Sequence, residues 1–225
     1  MTTARLKKLW KNEYFKTAVM ILLIIAVVFG FWYGTQLVLN TEYPALAVAS
    51  GSMCEVEGMG CDGLSHPFEP TLHIGDLIIV QGINPKEIGV GDIIVFHKPK
   101  PTSGSPDELI VHRVYVTESN PDNGMIYFET KGDASNTPDP FDTDYRGENY
   151  TWHNKISEKL VVGKVVLRMP WLGHLALFMH NSSGLFIIVF LIIILVIMEF
   201  VIPALTGKKT EKKEDLEKAF EPKAL

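Results

Sequence analysis

Ser50, Gly51, Ser52 and Met53 set two hydroxyls around a glycine at the start of "SGSMCEVEGMGC". A serine hydroxyl is a weak nucleophile until a neighbouring base takes its proton and a third group orients that base. Seven histidines could supply the base: His66, His73, His97, His112, His153, His174 and His180. They lack metal-site spacing such as H-E-x-x-H, and the two cysteines are not spaced like a zinc knuckle, so neither a metal nor a cofactor is expected. His112 stands in the strand-like "IVHRVYV", and acids follow in "TKGDASNTPDPFD". A neutral imidazole there is suited to accept the serine proton and return it to a leaving amine. Lys98 and Lys100 are the rival bases. Lysine must be buried to lose its charge, and "HKPKPTSG" is polar and proline-rich.

The serine pair follows a long apolar run. From Thr17 to Thr41 there is no charged residue, and about 20 apolar residues cross a bilayer as a helix. A cleavable leader has a shorter apolar core, so a retained anchor is expected. A second run, "LFIIVFLIIILVIM" from Leu185 to Met198, reaches spanning length if it begins near Leu175 or passes Glu199. Arg5, Lys7, Lys8, Lys11 and Lys16 precede the first run, and Lys208, Lys209, Lys212 and Lys213 follow the second. Lysine and arginine accumulate on the cytoplasmic side, so both termini are expected there. The net charge of −5 conceals this division between basic ends and an acidic middle. No basic nucleic-acid patch occupies the middle segment, and the terminal lysines read as topology and lipid-surface charges.

Between the runs the sequence reads as β-rich. "GDLIIVQGI" from Gly75 and "GDIIVFHK" from Gly91 are β-branched runs introduced by Gly-Asp turns. "ELIVHRVYVTE", "GMIYFETKGD" and "KLVVGKVVLRM" add three strands, with loops at "KPKPTSGSPDE" and "SNPDNG". Short strands without interposed amphipathic helices predict an antiparallel, barrel-like domain flanked by two transmembrane helices. The expected order is a basic cytoplasmic N-terminus (1–16), a first span (17–41), an extracytoplasmic β domain (42–174), a second span (175–202) and a charged cytoplasmic tail (203–225).

This order of pieces resembles signal peptidase I, in its endoplasmic-reticulum and archaeal branch. The family's Ser-x-Ser-Met motif is matched by Ser50, Gly51, Ser52 and Met53, and its Gly-Asp strand motif by "GDIIVF". Its His-Arg strand is matched by His112 and Arg113. Its Gly-Asp with a second acid six positions on is matched by Gly132, Asp133 and Asp139. The bacterial branch carries lysine before that arginine; histidine here marks the other branch. The resemblance covers roughly residues 17 to 170 and implies a membrane serine endopeptidase that removes signal peptides after small residues. It implies Ser52 as nucleophile, His112 as general base, Asp139 as the acid orienting His112, and Asp133 as a partner of Arg113 or a second brace. Ser50 and the Ser52 N–H are the implied oxyanion donors. The implied partners are signal-peptide-bearing preproteins, the lipid bilayer and the translocation channel. Relatives often carry proline soon after the Ser-Met pair, whereas this chain continues "CEVEGMGCDG".

Some residues carry other readings. Cys54 and Cys61 either pair as an extracytoplasmic disulfide or stand as two thiols. Asn149-Tyr150-Thr151 is a glycosylation sequon, and Asn181 lies too near the membrane to accept a glycan. Trp10, Trp32, Tyr33 and Trp171 read as interfacial anchors. Two competing functions use the same pieces: a protease for another secreted precursor, and an inactive membrane-anchored binding domain. Two spans without a retrieval signal favour an archaeal cell membrane over an endoplasmic-reticulum membrane.

Overall fold

The computed structural model describes residues 13–54, 61, 71–147 and 149–198. Residues 1–12 of the basic N-terminus, His66 and the tail at 203–225 lie outside them. Helix α1 spans Glu13–Leu39. Its stretch Phe15–Leu39 is long and apolar enough to cross a membrane. At 1.5 Å per residue, 25 residues reach about 37 Å, more than a hydrocarbon core needs. Its apolar side chains stay uncovered by the protein, with Leu22 65% and Phe31 73% exposed. A helix in the core of a globular protein would bury them.

Asn40 ends the helix in the left-handed region (φ 49°), and the Thr41 N–H returns to the Gln36 carbonyl at 3.2 Å. This closure satisfies a carbonyl that the last turn leaves open. The helix end is then tied to the sheet. The Gly82 N–H donates to the Leu39 carbonyl at 2.8 Å, and the Asn40 side-chain amide donates to the Gly82 carbonyl at 3.5 Å. A Cβ on Gly82 would lie 2.0 Å from the Asn40 carbonyl oxygen. Only glycine allows this approach.

Eight strands follow: β1 Ala45–Ala47, β2 Leu77–Gln81, β3 Ile93–His97, β4 Leu109–Ser119, β5 Ile126–Lys131, β6 Thr151–Trp152, β7 Lys155–Ser157 and β8 Val161–Met169. They form one sheet in the order β1-β2-β8-β3-β4-β5-β7-β6. Every pairing is antiparallel, and the five strands expected from the sequence are β2, β3, β4, β5 and β8. The end strands β1 and β6 do not pair with each other among the described residues, so the sheet is mostly antiparallel without a closed ring.

Strand β3 sits between β8 and β4 and is buried on both faces, which suits its unbroken β-branched and aromatic sequence. Ile94 and Phe96 join Val114, Phe128, Ile156 and Leu160 in one core. Val95 turns the other way, into a second core with Val48, Met53, Leu72, Ile78 and Val80. Val48 and Met53 flank Ser50 and Ser52, so this second core holds both ends of the serine turn.

The described chain divides after His174. Helix α2 spans Leu172–His180 and helix α3 Ser182–Val196, with the break at Asn181. Neither alone reaches spanning length. The single span expected over 175–202 is therefore interrupted at Asn181, and its last residues lie outside the described ones.

Because Gly82 admits no side chain, Gly82→Ala must push the helix end off β2. We expect a loss of about 1–3 kcal/mol, the usual range for overpacking, read as a lowered unfolding temperature in detergent. An unchanged unfolding temperature would mean that the helix end is not held at Gly82.

Candidate active site

Strand β4 presents His112 opposite Ile94 and Arg113 opposite Ile93 of β3. Two sequence neighbours on a strand point to opposite faces, and here they meet different acids. His112 Nδ1 lies 2.6 Å from Asp139 Oδ2. The Arg113 guanidinium grips Asp133 with two bonds, Nε to Oδ1 at 2.8 Å and Nη2 to Oδ2 at 2.7 Å, and its Nη1 donates to the Gly91 carbonyl at 2.9 Å. One acid touches the imidazole and the other touches the guanidinium.

Asp139 is itself held. The Thr130 hydroxyl donates to its Oδ2 at 2.6 Å, and its N–H donates to the Thr130 carbonyl at 2.9 Å. The Phe96 ring stands edge-on to the imidazole, with centroids 6.4 Å apart. On the other brace, the Thr71 hydroxyl lies between the Met53 carbonyl and Asp133 Oδ2. Thr130 and Thr71 are supporting residues that the motifs did not indicate, and Phe96 closes the "GDIIVF" motif without a role having been read for it. Each is one polar or aromatic residue among many, and nothing in one sequence distinguishes it before the strands are paired.

The serine turn meets this assembly at its backbone. The Ala134 N–H donates to the Ser52 carbonyl at 3.1 Å. A Cβ on Gly132 would lie 2.3 Å from that carbonyl oxygen and 3.1 Å from His112 Nε2. The Ser52 hydroxyl has one hydrogen-bond partner among the described residues, the Ser50 hydroxyl at 3.4 Å. Ser52 and His112 thus lie together without a hydrogen bond between them. Just beyond, Cys54 and Cys61 form a disulfide, which resolves the alternative left by the sequence. The Cys54 N–H also donates to the Gly51 carbonyl at 3.0 Å, closing the turn under Ser52.

Ser52 and His112 line two clefts. One, of about 390 Å³, runs from Leu46, Val48 and Ser50 to Leu109 and Val111. The other, of about 340 Å³, is bounded by Gly132, Ala134, Ser135 and Asn136. The first lies beside two strand edges without partners among the described strands. β1 pairs only with β2, and β4 pairs with β5 only from Arg113 onward.

Four further histidines among the described residues are engaged elsewhere. His73 is buried against the Arg168 Nη2 at 2.8 Å, near the Asp76–Arg168 ion pair. His97 meets Asp107 at 3.1 Å, His153 stacks on Trp152, and His174 packs over Gly75. Lys98 pairs with Glu108 at 2.8 Å and Lys100 with Asp107 at 3.0 Å. Each rival base is thus paired with a carboxylate and not with Ser52.

The loop after Asp139 is clamped to the loop after β3. Asp144 accepts from the Lys100 N–H at 2.9 Å, from the Arg146 N–H at 2.9 Å and from the Arg146 guanidinium at 2.6 and 2.7 Å. Burial alone would raise the Asp144 carboxyl. The Arg146 guanidinium and the two N–H groups outweigh it and lower the group from 3.8 to about 2. A carboxylate depressed by folding lends stability above its unfolded value and loses it as acid protonates the folded form. The advantage of the wild type over Asp144→Asn in unfolding temperature should be full at neutral pH. It should shrink as pH falls from about 4 to about 2. A gap that widens with acid would overturn this account.

No family profile matches the chain. It is similar to the signal peptidase complex catalytic subunit SEC11C of Homo sapiens, 29% identical over 176 residues, 78% of this chain and 78% of that protein. The Mus musculus protein of the same name is 28% identical with the same coverage. The signal peptidase complex catalytic subunit SEC11 of Fusarium vanettenii is 28% identical over 165 residues, 72% of this chain and 79% of that protein. Over most of its length the chain is thus a homologue of signal peptidase catalytic subunits, in line with the resemblance stated from its sequence.

Proposed function

We propose that the chain is an integral membrane serine endopeptidase that removes N-terminal signal peptides from exported preproteins, cutting after small residues. The observation that carries this reading is the meeting of Ser52 with a His112–Asp139 pair between two clefts. In the first step His112 Nε2 takes the Ser52 proton as Oγ bonds to the scissile carbonyl carbon. Collapse of the tetrahedral adduct breaks the C–N bond, and Nε2 passes its proton to the leaving amine. Water, deprotonated by the same nitrogen, then releases the acyl group and regenerates Ser52. Asp139 fixes the proton on Nδ1 and stabilises the imidazolium. The Ser52 N–H and the Ser50 hydroxyl meet the oxyanion. Asp133 and Arg113 brace the turn without joining the proton path.

The free edges of β1 and of residues 109–112 suit a substrate added as an extended strand, with alternate side chains entering the cleft. Val48, Met53, Leu109 and Val111 line that cleft, and in this reading they receive small side chains. The first span and a signal peptide's apolar core share one bilayer, which raises their effective concentration. The second apolar segment, over 175–202, completes the barrel-like domain's attachment in this reading. Both termini are cytoplasmic and the catalytic domain stands outside, beside the translocation channel and in contact with lipid.

Cleavage of a preprotein by the purified chain tests the mechanism. Ser52→Ala and His112→Ala should each lose at least about 10⁴-fold in kcat, and Asp139→Asn about 10²- to 10⁴-fold. Asp133→Asn should mainly lower stability. His112→Lys should be inactive, because Asp139 would hold the lysine charged. Full activity in His112→Ala would end the Ser-His reading, and a larger kinetic loss from Asp133→Asn than from Asp139→Asn would exchange the acids. A preprotein panel separates signal peptides from other secreted precursors.

Orientation is tested by cysteine labelling in intact cells. Ser103→Cys should react with an impermeant reagent, and Ala224→Cys should react only after permeabilisation. The reverse pattern would overturn the topology.

A further inference from the structure

The two clefts that share Ser52 and His112 differ in character. The first is walled by apolar side chains and by the strand edges at β1 and 109–112. The second is walled by Gly132, Ala134, Ser135 and Asn136, a short-side-chain loop with no sheet edge. A peptide bond at Ser52 must run from one into the other. Its direction follows from the proton. Asp139 occupies His112 Nδ1, so Nε2 must donate to the leaving amine. Nε2 lies against the Gly132 side, 3.1 Å from where a Cβ there would stand. The amine therefore departs through the second cleft, while the acyl group stays in the first.

We infer that the cleft of Gly132, Ala134, Ser135 and Asn136 is the site for the polypeptide on the carboxyl side of the cut, and that the Asn136 side-chain amide binds its backbone. This rests on the reading of Ser52 and His112 given above. Asn136 is exposed, and among the described residues its amide makes no hydrogen bond. Its neighbours are already engaged: the Ser135 hydroxyl donates to the Thr137 carbonyl at 2.8 Å and accepts from the Thr137 N–H at 3.2 Å. The loop is fixed at both ends, by Ala134 on Ser52 and by Asp139 on Thr130, so Asn136 is presented on a rigid arc. A carboxamide offers one acceptor and two donors, which matches a peptide N–H and carbonyl whatever side chain they carry. The cleft's open, small-residue walls select no particular side chain. The released chain is therefore read by its backbone, and its first residues vary freely.

Two substrates with the same sequence before the cut decide this. One continues as a peptide for several residues beyond it, and the other ends there in a chromogenic arylamine. In the full chain in detergent, Asn136→Ala should lower the ratio of kcat/KM for the peptide over the arylamide by about 3- to 10-fold, the value of one neutral hydrogen bond. Asn136→Asp, which keeps the shape and loses the donors, should give an intermediate ratio. An unchanged ratio, whether both rates fall together or neither moves, would overturn the assignment. Ser52→Ala run beside them separates the two failures. If Ser52→Ala still cleaves, the Ser-His reading fails and takes this one with it. If Ser52→Ala is dead and the ratio is constant, only the Asn136 site is lost.

Discussion

The Ser52 carbonyl accepts the Ala134 N–H at 3.1 Å, and that single backbone bond joins the two halves of the site. It can form because residue 132 has no side chain: a Cβ there would fall 2.3 Å from the same carbonyl oxygen. The chain between Lys131 and Asp139 thus has two fixed points, one on the nucleophile turn and one on Thr130. Everything that must be mutually placed within a fraction of an ångström is attached to this short arc. Preorganisation of that kind is what makes hydrogen-bonded groups useful in a transition state, since no energy is spent arranging them during the reaction.

The same arc explains why its two acids differ. Asp133 immediately follows Gly132 and turns toward Arg113, whose planar fork matches a carboxylate with two parallel bonds. Such a pair fixes position and neutralises charge, but leaves no oxygen suited to a histidine. Asp139 is six residues on, across the loop, where a hydroxyl from Thr130 and the imidazole share one oxygen. In the proposed mechanism that carboxylate accepts from both, which fixes the tautomer of His112. Separation by six residues is the span the loop needs to carry one acid to each face of β4.

Much of this was legible in the sequence, because its signals were local. The five longer strands announced themselves as β-branched runs behind Gly-Asp turns, and Ser52, His112 and the two acids sat in ordered motifs. β1, β6 and β7 did not, since two or three residues carry no alternation to read. Thr71 and Thr130 were invisible for a different reason. Their hydroxyls acquire a purpose only when segments distant in the chain are brought together. The cysteines left a choice that their spacing could not make. In the fold, Cys61 returns beside the serine turn and bonds to Cys54, with their Cα atoms 5.7 Å apart. The second apolar run read as one span, yet its helix breaks at Asn181, a polar residue whose effect on continuity depends on what packs around it.

The link between α1 and the serine turn is short and almost wholly bonded to one strand. Leu39 and Asn40 meet Gly82 just past the end of β2, the Pro44 carbonyl accepts from Val80, and Val48 exchanges two bonds with Gly75 and Asp76 just before β2 begins. The connecting segment therefore runs antiparallel to β2 from end to end, and β2 acts as a ruler between the helix and the serine turn. Five residues of strand measure about 17 Å. Because hydrogen bonds recur along that length, the segment cannot lengthen or slacken without breaking several at once. If α1 spans the bilayer, the height of Ser52 above it is set by the strand and not by a flexible linker. In the proposed reading, a cut site fixed in height selects substrates by the distance between their own apolar segment and the bond presented.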